Sequence, residues 1–175
     1  CEAGDYIVAL GLANPAAGTS NNRGIVLLLD NSYSMRYGMN FDRLKTEARR
    51  RIDTMGAGDK IAMIAFNESA TMLGQPSSDK GTLKAAVDTL EPSYSGTRYY
   101  EAFTLADRIF SQMGSAQRQL VIVSDFQRNG WNRSSRESVI GSDVKTEFVN
   151  LAVENPTNIG IDSVSIEPAI SFART

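Results

Sequence analysis

Five oxygen-bearing side chains stand where apolar segments of this 175-residue sequence end or where a helical pattern begins. They are Asp30, Ser32, Ser34, Thr97 and Asp125. Ligation by oxygen atoms alone is what hard cations prefer, so the expected ion is Mg²⁺, with Mn²⁺ or Ca²⁺ as alternatives. The first three residues alternate, so an extended loop would turn their side chains to one side. The set predicts a divalent-metal site with part of its coordination shell open to a partner's carboxylate.

The chemistry that this chain lacks narrows the function. It contains no histidine, which excludes Ser-His-Asp and Cys-His nucleophile systems and imidazole metal ligands. A Mg²⁺-dependent phosphatase of the haloacid dehalogenase type would use Asp30 as its nucleophile, with a second acid two residues later. Serine occupies position 32, so the sequence favours a non-enzymatic metal site over this phosphatase. A structural domain with an empty metal site is the third interpretation.

Composition also limits the partners. Apolar residues make up 42% of the chain, charged residues 22%, and the net charge is −2. Basic and acidic residues are interspersed, which does not support binding to nucleic acid. No apolar run reaches the roughly 18 residues that cross a bilayer. The expected partner is a protein, any membrane anchor is expected outside this sequence, and the oligomeric state stays open.

Three continuous apolar runs, at 24–29, 60–66 and 119–123, predict strands buried on both faces of a parallel sheet. Three amphipathic patterns predict helices. The first covers 41–55 and is capped by Asn40, the second covers 83–90, and the third covers 99–113 and ends at Gly114. This alternation predicts a doubly wound α/β fold with a mostly parallel sheet flanked by helices.

Shorter segments complete the predicted organisation. Residues 69–73 are expected to form a short antiparallel edge strand, and 148–153 a further strand. Residues 1–23 are expected to be a leader or linker, and 24–154 one domain. The segment 155–175 is expected to be an edge strand or the start of a following β-rich domain.

The pattern Asp-x-Ser-x-Ser at 30–34, Gly-Thr at 96–97 and Asp at 125 resembles the metal-ion-dependent adhesion site of von Willebrand factor type A domains. This resemblance implies a Rossmann-like fold over 24–154 and a non-enzymatic module that binds an acidic group of a partner protein. It also implies that Ser32, Ser34 and Thr97 ligate more directly, while Asp30 and Asp125 act largely through waters.

Three further segments narrow the resemblance: DNSYSM at 30–35, GDK at 58–60 and SDFQRNGW at 124–131. They are similar to bacterial membrane-anchored proteins of the BatA type, which implies a periplasm-facing domain in the bacterial cell envelope. The chain departs from many type A domains at Phe126, where they have glycine. We therefore expect the loop after Asp125 to differ in shape from theirs. An apolar rim around the site is predicted from Tyr33, Met35, Tyr37 and Trp131.

Overall fold

A five-stranded sheet organises the part of the chain that the computed structural model describes, residues 22–131 and 140–152. Its strands are β1 (Arg23–Asp30), β2 (Lys60–Phe66), β3 (Ala70–Met72), β4 (Gln117–Ser124) and β5 (Val144–Asn150). The helices of these ranges are α1 (Asn40–Asp53), α2 (Lys80–Thr89) and α3 (Tyr99–Met113). Two 3-10 turns, η1 (Tyr33–Arg36) and η2 (Arg128–Gly130), lie in the loops that follow β1 and β4.

The strand order is β3-β2-β1-β4-β5. β1 runs parallel to β2 and to β4, and β4 runs parallel to β5. β3 is antiparallel to β2, as its position after a short turn predicts. The doubly wound, mostly parallel fold predicted from the sequence is therefore confirmed, and so is its antiparallel edge strand.

Helices cover both faces of the sheet. Alternate residues of β1 point to opposite faces, so Leu27 and Leu29 pack with α1 and α2, while Val26 and Leu28 pack with α3. Residues 25–29 of β1 are at most 7% exposed. Burial on both faces explains why this strand is a continuous apolar run rather than an alternating one.

Two local predictions are wrong. β5 begins at Val144, four residues before the predicted start, and ends at Asn150. Its first half is VKTE, and most of the strand is not buried, so no apolar run marked its start. The N-cap of α1 is Met39 rather than Asn40, which is the first helical residue and is buried, with no hydrogen bond to its Oδ1 atom in the described ranges.

Some predictions fall on other parts of the chain. The leader, apart from Asn22 and Arg23, and the segment 155–175 lie outside the described residues. Within the described ranges, no helix is long and apolar enough to cross a membrane.

An ion pair fastens the amino ends of β1 and β2. Arg23 Nη2 lies 2.5 Å from Asp59 Oδ2, and the backbone N–H of Gly56 donates to the same oxygen at 2.8 Å. Asp59 is 1% exposed. Burial alone would raise the pKa of Asp59, but the hydrogen bonds from Arg23 and the backbone outweigh burial and lower this pKa.

We expect Asp59→Asn to destabilise the protein by about 1–2 kcal/mol at pH 7 and by less at pH 3. Because the folded-state pKa is lowered, the carboxylate stabilises the fold above its unfolded-state pKa of about 3.9. That contribution is lost as the pH falls through the folded-state pKa. Urea unfolding at both pH values measures the difference. Asp143→Asn is the control, since the Asp143 carboxylate is exposed and its ion pair with Arg118 is 3.4 Å long. An Asp59→Asn effect of equal size at both pH values would contradict the prediction.

Candidate metal centre

The carboxyl edge of the sheet brings the predicted site residues into neighbouring loops. Asp30 ends β1, and Asp125 directly follows β4. Because β1 and β4 are parallel neighbours with Leu29 opposite Val123, their ends lie side by side. Ser32 and Ser34 follow β1, but Ser34 lies in the η1 turn, so the predicted extended loop is wrong there.

Hydrogen bonds join Ser32, Ser34 and Asp125 across the two loops. The two serine Oγ atoms are 3.2 Å apart, and Ser34 Oγ donates to Asp125 Oδ1 at 3.1 Å. The single hydroxyl hydrogen of Ser34 is used on the carboxylate, so Ser32 donates to Ser34. Three of the predicted ligands therefore form one connected row of oxygen atoms.

Asp30 is held in place by hydrogen bonds to both of its carboxylate oxygens. Oδ1 accepts from the backbone N–H of Ser32 at 2.9 Å, and Oδ2 accepts from Ser124 Oγ at 2.5 Å. The side chain is fully buried. Burial raises the pKa of Asp30 and outweighs these hydrogen bonds, and the nearby charge of Asp125 raises it further. The carboxylate therefore carries a burial cost that a nearby cation would offset.

Ser124 is a site residue that the sequence did not single out. It is fully buried, and its Oγ lies 2.9 Å from the hydroxyl of Tyr99. Since Ser124 donates its hydrogen to Asp30, the Tyr99 hydroxyl donates to Ser124. A polarised chain from Tyr99 through Ser124 to Asp30 thus ties the start of α3 to the end of β1. Ser124 lies beside Asp30 because β4 is the direct neighbour of β1. A single sequence does not reveal this strand order.

Thr97 lies in the loop before α3, which is fastened to the other loops by its backbone. Tyr33 N–H donates to Ser95 O at 2.8 Å, and Arg98 N–H donates to Asn67 O at 2.8 Å. Within the described ranges the Thr97 hydroxyl forms no hydrogen bond, so none joins it to the other four predicted ligands. Gly130 packs against it, since a Cβ at 130 would lie 3.1 Å from Thr97 Cγ2.

The loop after β4 keeps a left-handed residue although glycine is absent. Phe126 has φ +49°, a conformation that glycine adopts without strain and phenylalanine rarely adopts. Its N–H donates to Ser124 Oγ at 3.0 Å, and its ring stacks on Tyr99 at 6.1 Å between centroids. These contacts hold the strained backbone in place.

Part of the predicted rim is exposed around this edge. Tyr33, Tyr37 and Trp131 are 61%, 46% and 45% exposed, but Met35 is fully buried. The prediction for Met35 is wrong because the 3-10 turn rotates it into the core beside α1.

The donor chemistry fits a hard divalent cation. Among the described residues, no group of three or more His, Cys, Asp or Glu side chains could hold a metal. The cluster instead offers two carboxylates and three hydroxyls, and the Thr97 hydroxyl has no partner in the described ranges. Such a set would hold Mg²⁺ with positions left for water or an outside carboxylate. Bound there, the ion would supply positive charge to an incoming anion.

Comparison with known proteins shows the family to which this chain belongs. The family model of the von Willebrand factor type A domain matches residues 25–127, more than half of the chain. The chain therefore belongs to this family, as its motifs predicted. No curated protein matches it.

Solved structures share the fold at low identity. The chain is similar to BatB from Bacteroides thetaiotaomicron, with a TM-score of 0.62, 22% identity, and coverage of 73% of this chain and 65% of that one. An aerotolerance-related membrane protein from Bacteroides fragilis gives 0.62 and 21%, covering 80% and 76%. Proximal thread matrix protein 1 from the mussel byssus, which has a zinc-occupied metal-ion-dependent adhesion site, gives 0.50 and 22%, covering 57% and 28%. The chain thus spans less than two thirds of the length of BatB and of the mussel protein.

Proposed function

We propose that this domain is a non-enzymatic module that binds an acidic group of a partner protein through a divalent cation. Asp30, Ser32, Ser34, Thr97 and Asp125 would hold the ion, which we propose to be Mg²⁺, with Mn²⁺ or Ca²⁺ as alternatives. The observation that carries the proposal is the connected row of Ser32, Ser34 and Asp125 oxygens, together with buried Asp30, which accepts from the Ser32 backbone.

The charge balance of the site supports this function. Two carboxylates and neutral hydroxyls would leave the occupied site close to electroneutral, so it would not repel a partner's carboxylate, which could ligate the ion at an open position. Hydroxyl ligands also neutralise less of the ion's charge than further carboxylates would. The zinc-occupied site of the mussel protein is consistent with a divalent ion at this edge of the fold.

The buried position of Asp30 favours this function over the phosphatase alternative. A nucleophilic carboxylate must present an oxygen to its substrate. Both oxygens of Asp30 accept hydrogen bonds from Ser32 and Ser124, and the side chain is not exposed. Asp30 therefore suits the role of balancing the charge of the ion rather than that of a nucleophile.

The structural alternative, a domain with an empty metal site, predicts that no divalent ion changes the stability of the protein.

We further propose that the full-length protein lies in a bacterial cell envelope, faces the periplasm and is anchored to a membrane. The support is the BatA-type resemblance of its motifs, together with the fold that it shares with BatB and with a Bacteroides membrane protein.

A labelled nonapeptide of glycine and serine with one central aspartate tests the binding function. We expect fluorescence anisotropy to report binding in Mg²⁺, loss of binding in EDTA, and loss when the peptide's aspartate is replaced by asparagine. Asp125→Ala should lose at least tenfold in affinity, about 1.4 kcal/mol. Asp143→Ala removes an exposed carboxylate elsewhere and should bind as the wild type does. Equal binding in Mg²⁺ and EDTA would overturn the proposal.

A further inference from the structure

Each of the three loops that carry the proposed ligands also carries an exposed arginine. Arg36 lies two residues after Ser34, Arg98 directly follows Thr97, and Arg128 lies three residues after Asp125. None of the three forms an ion pair within the described ranges, although two glutamates, Glu68 and Glu91, lie in neighbouring loops of the same edge.

Arginines elsewhere in the described ranges behave differently. Five of them are engaged in ion pairs: Arg23, Arg49, Arg50, Arg51 and Arg118. Arg43 and Arg108 also form no ion pair in these ranges, so the lack of a carboxylate partner does not by itself indicate that an arginine binds a ligand. What distinguishes the three loop arginines is that every loop with a proposed ligand has, within three residues of that ligand, an exposed arginine without an ion pair among the described residues.

Two neighbouring residues, Tyr94 and Pro92, position the guanidinium of Arg36. Its guanidinium carbon lies 4.3 Å from the centroid of the Tyr94 ring, and its Nη1 donates to Pro92 O at 3.2 Å. Tyr33 lies beside Tyr94, with ring centroids 6.4 Å apart. These two tyrosines are 61% and 78% exposed, so a pair of exposed aromatic rings adjoins Arg36. Exposed tyrosines with arginine are typical of the residues that dominate binding at protein interfaces.

We propose that the partner segment carries further acidic side chains, beside the carboxylate bound at the ion, which pair with Arg36, Arg98 and Arg128. Tyr33 and Tyr94 provide the surface against which the segment packs. This inference rests on the proposed function and specifies its partner as an acidic stretch of protein rather than a lone carboxylate. Guanidinium groups suit this role because they bind carboxylates through two parallel hydrogen bonds.

Two labelled nonapeptides in Mg²⁺ test the inference: the single-aspartate peptide, and one with a glutamate added on either side of the aspartate. We expect the triacidic peptide to bind the wild type about tenfold more tightly, since each exposed pair adds a few-fold in affinity. The advantage should shrink when NaCl is raised from about 0.05 M to 0.5 M, because salt screens exposed charges.

The arginines are tested by the triple variant Arg36→Gln, Arg98→Gln, Arg128→Gln. It should bind both peptides equally, with the affinity of the wild type for the single-aspartate peptide. The matched control, Lys60→Gln, Arg108→Gln, Lys145→Gln, removes the same charge from exposed positions outside the ligand loops that have no ion pair among the described residues, and it should keep the tenfold advantage. Replacing the three loop arginines with lysine keeps the charge and should retain part of the advantage.

The outcomes separate this inference from the function on which it rests. If EDTA abolishes binding of the single-aspartate peptide but the arginine variant still prefers the triacidic peptide tenfold, the inference is overturned and the proposed function stands. If EDTA changes nothing while the arginine variant loses the preference, the metal-dependent function fails and the basic surface stands. A single-stranded oligonucleotide that binds as tightly as the triacidic peptide would overturn the assignment to a protein partner.

Discussion

Asp30→Asn is expected to abolish the stabilisation by Mg²⁺ while leaving the metal-free fold at least as stable as the wild type. The asparagine carbonyl can accept from the Ser32 N–H. Its amide can donate to Ser124 Oγ once Ser124 turns its own hydrogen to the Tyr99 hydroxyl, so both hydrogen bonds of the carboxylate have replacements. The substitution also removes a buried negative charge whose pKa is raised by burial. What is lost is the charge that holds the cation.

Thermal unfolding in EDTA measures the stability of the metal-free fold, and thermal unfolding in excess Mg²⁺ measures the stabilisation by the ion. At a hundred times its Kd, a ligand bound only by the folded state adds about 2.7 kcal/mol. For a chain of this size that corresponds to a rise in Tm of about 5–10 °C. We expect this rise in the wild type and in the control Asp143→Asn, and no rise in Asp30→Asn. A full Mg²⁺ response in Asp30→Asn, or a large fall of its Tm in EDTA, would contradict the account of Asp30.

The positions of Asp30, Ser32, Ser34 and Asp125 could be predicted because these residues lie at or just after the carboxyl ends of strands. β2 occupies the predicted range, Lys60–Phe66, since a strand buried on both faces leaves a continuous apolar run. Once β1 and β4 are parallel strands, residues that follow them lie at one edge of the sheet. The sequence alone therefore predicts that Asp30 and Asp125 lie near each other.

The contacts between these residues could not be predicted in the same way. Ser124 supports Asp30 only because β4 is the direct neighbour of β1, and many strand orders are compatible with one hydropathy pattern. Met35 was misplaced because an alternating pattern cannot distinguish an extended loop from the 3-10 turn that this loop forms. β5 was misplaced because an exposed edge strand has no continuous apolar run to mark its ends.

Tyr99→Ala is expected to cost about 3–5 kcal/mol of stability, the usual range for removing a buried aromatic side chain. The Tyr99 ring is 1% exposed and stacks on Trp131 with centroids 4.3 Å apart. It also contacts the rings of Phe66 and Phe126, at 5.6 and 6.1 Å. One side chain thus connects α3, the end of β2 and the loop after β4, so its removal leaves a cavity between these elements.

Urea unfolding of Tyr99→Ala and Tyr100→Ala measures this effect in neighbouring positions of α3. Tyr100 is 46% exposed, so its substitution should change stability by no more than about 0.5 kcal/mol. Trp131 is the only tryptophan of the chain, and its fluorescence should shift to the red in Tyr99→Ala as its stacked partner is lost. Equal stabilities of the two variants would show that the aromatic stack does not hold the loop.

Tyr99→Phe separates the ring from the hydroxyl. The ring contacts stay, and only the donation from Tyr99 to Ser124 is lost, which costs about 1 kcal/mol. Ser124 keeps its own hydrogen on Asp30, so the Mg²⁺-dependent rise in Tm should survive in Tyr99→Phe and shrink in Tyr99→Ala, where the loop carrying Asp125 loses its support. A loss of the Mg²⁺ response in Tyr99→Phe would mean that the polarised hydrogen-bond chain, rather than the packing of the ring, positions Asp30 for the ion.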